Sequence, residues 1–549
     1  MKESRMCIKY RVGKIVYEDD NYQNQHYSIE EISSSSGVKL VITPKEKLEL
    51  ISLKLIYNHK YETRDRFFVN GYQSWTTSYE ASADDFQKGL PWIVKLTPTG
   101  KRLASTSGDY SFIKYSRKPG VFHSFTYTYI INEGKTTLYG SLNERTGFTV
   151  FYADMNKSSF IIEKDVEGVS ILKPYELINV IKIEGGYDEV FDKYFAAQEV
   201  KKPRIDHLSG YTSWYNYFQN ISQDIILRDL EGLYKVKDYA NIFQIDDGYA
   251  PFVGDWLDSN PVKFPEGMKK ICEKIHDKGF LAGIWLAPFN VQKKSRIAKE
   301  RPEWLLKDRS GKPIIGCIAW GGAYVLDIFS EPVRDHIRNF FNVISNEWGF
   351  DMFKLDFLYS QCMNPRNGKS RGQIMCEAVD FLRECLGDKL ILGCGVPLGP
   401  AFGKVDACRI GCDMDLQYLP KYYNKLNVNK EIPSVQNSMT STIFRRHLNG
   451  RAFLNDPDVF FLRDTNLKFT LEQKKLLAKV NNMFGNVLFV SDNIGEYSLD
   501  ALQILKDALK KSQAMIISVE SSDDKYFTIK YLEGGEQKKI CFDLNTGNQ

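Results

Sequence analysis

The sequence predicts an α/β chain built on a central (β/α)₈ barrel, with an N-terminal β-sandwich domain and a small C-terminal β-module. Three observations carry this. Hydrophobicity has period two up to about Lys202, short apolar runs then alternate with segments of period 3.6, and period two returns from Met515. At 549 residues, 43% of them hydrophobic, the chain exceeds one ordinary domain and has material for more than one core. The expected divisions are 1–202 for the sandwich, 203–512 for the barrel and 513–549 for the last module.

In the first region Ile51, Leu53, Leu55 and Tyr57 alternate with polar residues. So do Phe125, Tyr127, Tyr129 and Ile131 ahead of an Asn132-Glu133-Gly134-Lys135 turn, and Phe148, Val150 and Tyr152 beyond it. Successive side chains of a strand point to opposite faces, so such alternation broken by turn residues reads as antiparallel strands with one buried face. A charged stretch closing on Lys201-Lys202-Pro203 ends the region. Past it, buried strands are expected at 209–214, 241–246, 280–287, 352–357, 389–394, 405–411, 451–454 and 486–490. Helical faces lie between or after them, as Met268, Ile271, Cys272 and Ile275; Val333, Ile337, Phe340, Phe341 and Ile344; Met375, Val379, Leu382 and Leu386; and Leu502, Leu505 and Leu509. Parallel strands covered on both sides must be nearly all apolar, and eight of them alternating with helices read as a TIM barrel. In the tail, Phe527, Ile529 and Tyr531 precede a Glu533-Gly534-Gly535-Glu536 turn, and Ile540, Phe542 and Leu544 follow it.

Lys+Arg at 73 against Asp+Glu at 69 leaves a net charge of +4, too small an excess to argue for nucleic acid or an anionic membrane as partner. The opening MKESRMCIKYRVGKIVYEDD carries charges where a secretory leader needs an apolar run, and no stretch approaches the ~18 apolar residues of a membrane span. A soluble, cytoplasmic protein is expected. The ten cysteines form no C-x-x-C pair and read as reduced core residues, and the seven histidines show no metal-ligand spacing. No cofactor and no metal are expected.

A barrel of this kind gathers its chemistry where strands end at their C-terminal edge. The polar and aromatic residues there are Trp214, Asp246, Asp247, Trp285, Lys354, Asp356, Cys394, Arg409, Asp413 and Asp492. Carboxylates facing each other across a pocket with aromatic walls suit glycoside hydrolysis, where one attacks or stabilises an oxocarbenium-like centre and the other protonates the leaving oxygen. Any single aspartate after a strand reads equally well as the cap of the next helix, and Trp285 equally well as core. Asp356 is harder to dismiss. In Phe353-Lys354-Leu355-Asp356-Phe357 the lysine and the aspartate lie two apart on one side of a strand, a buried charge pair that is costly unless used.

The blocks Gly210-Tyr211-Thr212-Ser213-Trp214, Ile245-Asp246-Asp247-Gly248-Tyr249, Gly254-Asp255-Trp256, Trp285-Leu286-Ala287-Pro288-Phe289, Phe353-Lys354-Leu355-Asp356-Phe357, Cys394-Gly395-Val396-Pro397-Leu398-Gly399, Arg409-Ile410-Gly411-Cys412-Asp413 and Leu454-Asn455-Asp456-Pro457-Asp458 occur in this order. Each alone is weak, but the ordered set resembles the melibiase-like α-galactosidases of glycoside hydrolase family 36 across about 205–495. Asn70-Gly71-Tyr72-Gln73-Ser74-Trp75 extends the resemblance toward the N-terminus.

The resemblance implies a retaining exo-α-galactosidase that removes terminal α-linked galactose from oligosaccharides. By it Asp356 looks like the nucleophile and Asp413 like the general acid/base. Lys354 would keep Asp356 ionised, and Arg409 would meet sugar hydroxyls on the other side of the ring. Asp246 and Asp247 would accept hydrogen bonds from the O4 and O6 region, only one of them facing inward cleanly. Trp285 and Trp214 would wall the sugar, Trp75 would cover it, and Cys394-Gly395 would border its C2 side. Two departures stand out: Cys412 replaces the proline of many relatives, and the chain is shorter than many, which leaves the oligomeric state open. Alternatives within the family are an α-galactosyltransferase of the raffinose-synthase type and an α-N-acetylgalactosaminidase. Outside it stand a non-catalytic sugar-binding barrel and a metal-dependent barrel enzyme with Asp406, Asp413 and Asp415 as ligands.

Overall fold

The computed structural model describes residues 4–92, 94–421, 431–522 and 525–549. Two compact units make up the chain: Met1–Lys201 with Tyr359–Phe381 and Val396–Lys404, and Lys202–Leu358 with Leu382–Gly395 and Val405–Gln549.

The first unit contains two antiparallel sheets. One runs in the order Ile15–Asp19, Ser4–Val12, Leu48–Asn58, Ser159–Lys164, Thr149–Asp154, Val121–Phe125, with Ser170–Ile171 added beside Leu48–Asn58. The other runs Tyr27–Ser34, Gly37–Pro44, Tyr175–Gly185, Lys135–Ser141, Tyr127–Asn132, Arg66–Val69, Tyr79–Ala81. Aromatic side chains meet between them, Phe67 stacking on Phe122 and Tyr139 lying against Phe160 at 4.6 Å, so the two faces form one sandwich core.

Two details depart from simple alternation. Leu48 and Leu50 are buried, then the buried phase resumes at Leu53, Leu55 and Tyr57, and Ile51 is not in the core. A bulge opposite Lys9 and Tyr10 inserts the extra residue and switches the phase. Phe125 and Tyr127 do not share a strand either: Thr126 takes a left-handed φ of 68°, and the chain crosses there from one sheet to the other. The turn after Asn132 forms as expected, with Glu133 and Gly134 both at positive φ.

The second unit holds the barrel. Its strands are β1 (Leu208–Thr212), β2 (Ile242–Ile245), β3 (Leu281–Leu286), β4 (Met352–Leu355), β5 (Leu390–Gly393), β6 (Ala407–Arg409), β7 and β8 (Val487–Val490), where β7 is split into Leu454–Asp456 and Val459–Phe460. All neighbours pair in parallel, from β8 through β1 and on to β6. The split closes the ring: the first half of β7 pairs with β6 and the second half with β8. Pro457 and the left-handed Asp458 (φ 74°) lie between the halves. The apolar runs of the sequence become these strands because they are buried on both faces, as Ile242, Phe243, Ile245, Phe353 and Leu355 show. Helices with the expected buried stripes follow, such as Gly267–Asp277 and Glu331–Asn342.

Between β3 and β4 an insertion builds a small antiparallel sheet from Asn290–Gln292, Ala323–Val325 and Ile315–Cys317. Met515–Ser522, Tyr526–Glu533 and Glu536–Asp543 form the C-terminal three-stranded sheet, with the glycines of the Glu533–Glu536 turn at φ 63° and 83°.

Candidate functional site

Alternation along β4 puts Phe353 and Leu355 into packing on one side and Lys354 and Asp356 into the barrel mouth on the other, all four buried. The Lys354 Nζ donates to Asp246 Oδ2 at 2.7 Å. Burial opposes the lysine's charge, but the adjacent Asp246 carboxylate outweighs it and holds Lys354 above its ordinary range. Asp246 is in turn fixed by Gln244 Nε2 on Oδ2 (3.2 Å) and by the Asp247 amide on Oδ1 (2.9 Å).

Asp356 accepts from the Trp285 indole Nε1 on Oδ2 (3.0 Å) and from the Phe357 amide on Oδ1 (2.8 Å). Trp285 is thus buried and also a donor to the Asp356 carboxylate. Burial raises Asp356 above the usual carboxylate range, while Lys354 and the Trp285 bond pull it back. Phe357 sits at φ 55°, a conformation that L-residues enter at a cost and that clusters at functional sites.

Asp247 reaches the same end of the barrel from the loop after β2. Its Oδ2 accepts from Gln219 Nε2 and from Trp320 Nε1, both at 2.8 Å. Burial pushes it up to about 6, the two donors opposing. Neither Asp246 nor Asp247 caps the following helix, which begins at Gly267 with no side-chain cap. Neither Trp320 nor Gln219 stands out in the sequence as a site residue. Trp320 comes from the insertion, at φ 55°, and lies edge-on to Trp285 (5.9 Å) and Phe357 (5.1 Å). The signal available was a tryptophan followed by Gly321-Gly322, both glycines at positive φ.

Arg409 ends β6 and its guanidinium meets three aspartates: Nη1 donates to Asp413 (2.9 Å) and Nε to Asp456 (3.2 Å), while Nη2 lies 2.9 Å from Asp458 Oδ1 as an ion pair without hydrogen-bond geometry. Asp456 and Asp458 are almost wholly buried, but the Asp413 side chain is 44% exposed. Asp458 Oδ2 also accepts from the Met414 amide (2.8 Å) and from the Tyr215 hydroxyl. Burial, with Asp413 and Asp456 adding to it, lifts Asp458 to about 6 against the pull of Arg409.

Cys394 marks where these groups converge. Burial and then Asp356 push its thiol well above the usual range; Asp413 acts in the same sense, and Arg409 and Lys354 oppose. Gly395, next to it, has φ 57°. Trp214 opens the loop after β1 and packs edge-on against Phe218 at 5.2 Å. Trp75 lies in the first unit, against Tyr359 at 5.8 Å.

Two expectations fail. Asp492, expected with the other strand-end residues at the barrel mouth, is completely buried and accepts from the Leu462 and Arg463 amides, from Arg463 Nη1 and from the Tyr497 hydroxyl, which makes it an internal anchor for the segment after β7. The proposed metal ligands do not form one site: Asp406 precedes β6 and is held by Arg204 and Arg383, Asp413 follows β6 at the other end, and Asp415 pairs with Lys421. Among the described residues no group of three His, Cys, Asp or Glu side chains is placed to hold a metal ion.

The Melibiase family model matches residues 237–377, which run from the approach to β2 through β4 and Asp356. The A type blood α-D-galactosamine galactosaminidase of Flavonifractor plautii is 32% identical over 158 residues, 27% of this chain and 14% of that protein. Alpha-galactosidase 2 of Pediococcus pentosaceus is 29% identical over 107 residues, 19% of this chain and 13% of that protein. The matched segments are therefore small fractions of those relatives' lengths. In fold, the likeness runs through almost the whole chain. The α-galactosidase of Thermus thermophilus solved with p-nitrophenyl α-D-galactopyranoside superposes with a TM-score of 0.71 at 22% identity, over 93% of this chain and 98% of that one. The family 36 α-galactosidase AgaA of Geobacillus stearothermophilus gives 0.61 at 11% identity, over 96% and 82%. The chain is thus similar to the Melibiase family over residues 237–377 and shares the fold of the solved family 36 α-galactosidases.

Proposed function

We propose that this protein is a retaining exo-α-galactosidase, with Asp356 as nucleophile, Asp413 as general acid/base and residues 203–512 as its catalytic barrel. The observation that carries the reading is the pairing of a buried, doubly braced Asp356 with a half-exposed Asp413 across Cys394. A nucleophile must be held rigidly and kept ionised; the Trp285 indole and the Phe357 amide do the first, and Lys354 opposes burial to do the second. An acid/base must reach both the leaving oxygen and incoming water, which suits a carboxylate open to solvent.

In the first step an Asp356 oxygen bonds to the anomeric carbon, the glycosidic C–O bond breaks, and the Asp413 proton passes to the leaving oxygen, releasing an alcohol. In the second, water gives a proton to Asp413 and its oxygen to the anomeric carbon, freeing Asp356 and galactose. Asp247 and Asp246 are the acceptors for the O4 and O6 region, with Trp285, Trp214 and Trp320 as apolar walls and Cys394-Gly395 beside C2. The small net charge gives no reason to expect a polyanionic partner and fits a neutral small-molecule substrate.

A second reading, an α-N-acetylgalactosaminidase, draws on the Flavonifractor relative, whose name gives another 2-amino sugar, α-D-galactosamine, as its substrate. Kinetics on p-nitrophenyl α-galactoside, α-N-acetylgalactosaminide, α-glucoside and β-galactoside separate the two. The first reading predicts the highest kcat/KM on the α-galactoside and none on the last two. Preference for the N-acetylated sugar would replace it with the second, and turnover of neither α-galacto sugar would overturn both.

A further inference from the structure

The three aspartates on Arg409 pose a problem for an acid catalyst. A guanidinium beside a lone carboxylate favours the ionised form, which is the wrong state for a group that must donate a proton. Here the guanidinium is shared, and two of the three carboxylates on it are sealed from solvent. One positive charge faces up to three negative ones in a low-dielectric cluster, so keeping a proton among them is favoured.

Asp458 is linked to Asp413 in two ways. Its Oδ1 lies 2.9 Å from Arg409 Nη2, on the guanidinium whose Nη1 binds Asp413, and its Oδ2 accepts from the Met414 amide, the residue after Asp413. Asp456 has only the first link, since its other oxygen accepts from the Asp458 amide. The break in β7 and the left-handed backbone at Asp458 deliver this carboxylate to the cluster.

We propose that Asp458 is a positioning residue that acts through Arg409 and the Met414 amide to fix the Asp413 loop and to keep Asp413 able to donate its proton. The inference rests on Asp413 being the acid/base. Among the described residues, the charged and titratable groups that act on or beside Asp413 are Arg409 on β6, Asp456 and Asp458 at the break of β7, Tyr215 after β1, Asp356 after β4, Cys394 after β5 and Cys412 next to it. Removing the Asp458 charge leaves Arg409 less neutralised, which favours the ionised form of its remaining partners.

The test compares pH profiles of kcat/KM for wild type, Asp458→Asn and Asp456→Asn on p-nitrophenyl and methyl α-galactoside, with melting curves on the same preparations. Asn at 458 can still accept from Met414 and Tyr215 through its one amide oxygen, which turns its Nδ2 toward Arg409, so the loop contact is kept while the charge and its ion pair with Arg409 go together. The expected result is a basic limb lower by about one pH unit in Asp458→Asn, with a loss at neutral pH several-fold larger for the methyl than for the nitrophenyl substrate, because poor leaving groups depend more on protonation. Asp456→Asn removes charge without touching Met414 and should move the limb in the same direction; it decides the matter if Asp458→Asn does not fold. Unmoved limbs, or losses equal for both leaving groups, would overturn the proposal while leaving the α-galactosidase reading intact. A wild type that turned over neither substrate would overturn both.

Discussion

Asp247→Asn is the sharpest probe of the barrel mouth, because the same burial that would serve the proposed sugar recognition by Asp247 makes its charge a cost to the fold. Its carboxyl rises from an ordinary 3.8 to about 6. That rise corresponds to about 3 kcal/mol at 1.36 kcal/mol per pH unit. Because the native value is the higher one, the native state binds more protons than the unfolded chain between about pH 4 and 6, and stability falls as pH rises through that window. The asparagine variant has no such titration. Relative to wild type it should gain about 3 kcal/mol between about pH 4 and 7, which for a cooperative unit of roughly 300 residues is about 4 °C in Tm. Above about pH 6, where wild-type Asp247 is ionised, kcat/KM on an α-galactoside should fall by about 2 to 4 kcal/mol in transition-state terms, since a charged acceptor for a buried hydroxyl is gone. Thermal midpoints of both proteins in matched buffers, with kinetics on the same samples, provide the assay. A Tm difference that stays constant with pH would refute the buried, proton-holding Asp247, and unchanged kcat/KM would refute its contact with the sugar.

Asp246→Asn leaves Lys354 buried without its partner, so the lysine loses charge and Asp356 loses the cation that opposes its burial; the acidic limb of kcat/KM should move up by about one pH unit, as a pH–rate profile will read. Trp320→Phe removes one of two donors on Asp247 Oδ2 but keeps the aromatic packing, and should lower kcat/KM about tenfold with little change in Tm, measured by steady-state kinetics and calorimetry. Trp75→Ala should raise KM several-fold while Tm is kept if this residue covers the sugar, whereas a drop in Tm with unchanged KM would show a structural role only.

The barrel was legible in the sequence because strands buried on both faces have to be apolar, and all eight expected segments contain or overlap an observed strand. Residues two apart on β4 were legible for the same reason: period two fixes which side chains share a face, so Lys354 and Asp356 had to enter the mouth together. Phase errors arose where the backbone breaks the period. The bulge that displaces Ile51 and the sheet crossing at Thr126 are set by pairing partners, which no single strand records. Trp320 was missed because it belongs to an insertion between β3 and β4, not to a strand end, and only the fold of Asn290–Val325 brings it to Asp247. Asp492 was misread in the opposite sense: a strand-end position looks the same in sequence whether its carboxylate faces a pocket or, as here, is consumed by Arg463 and two backbone amides. The Asp456–Asp458 pair was visible as a motif, but its meaning depends on the guanidinium it shares with Asp413.

The central claim is that Asp356 attacks the anomeric carbon. Asp356→Gly removes the attacking oxygen and opens space beside Trp285 that a small anion can fill from the same face. With p-nitrophenyl α-galactoside and added azide, the account predicts that the variant is inactive alone, that azide partly restores nitrophenol release, and that the product is the galactosyl azide of inverted, β configuration, as NMR of the anomeric proton will show. Near-wild-type activity without azide, or release of α-galactosyl azide, would contradict it.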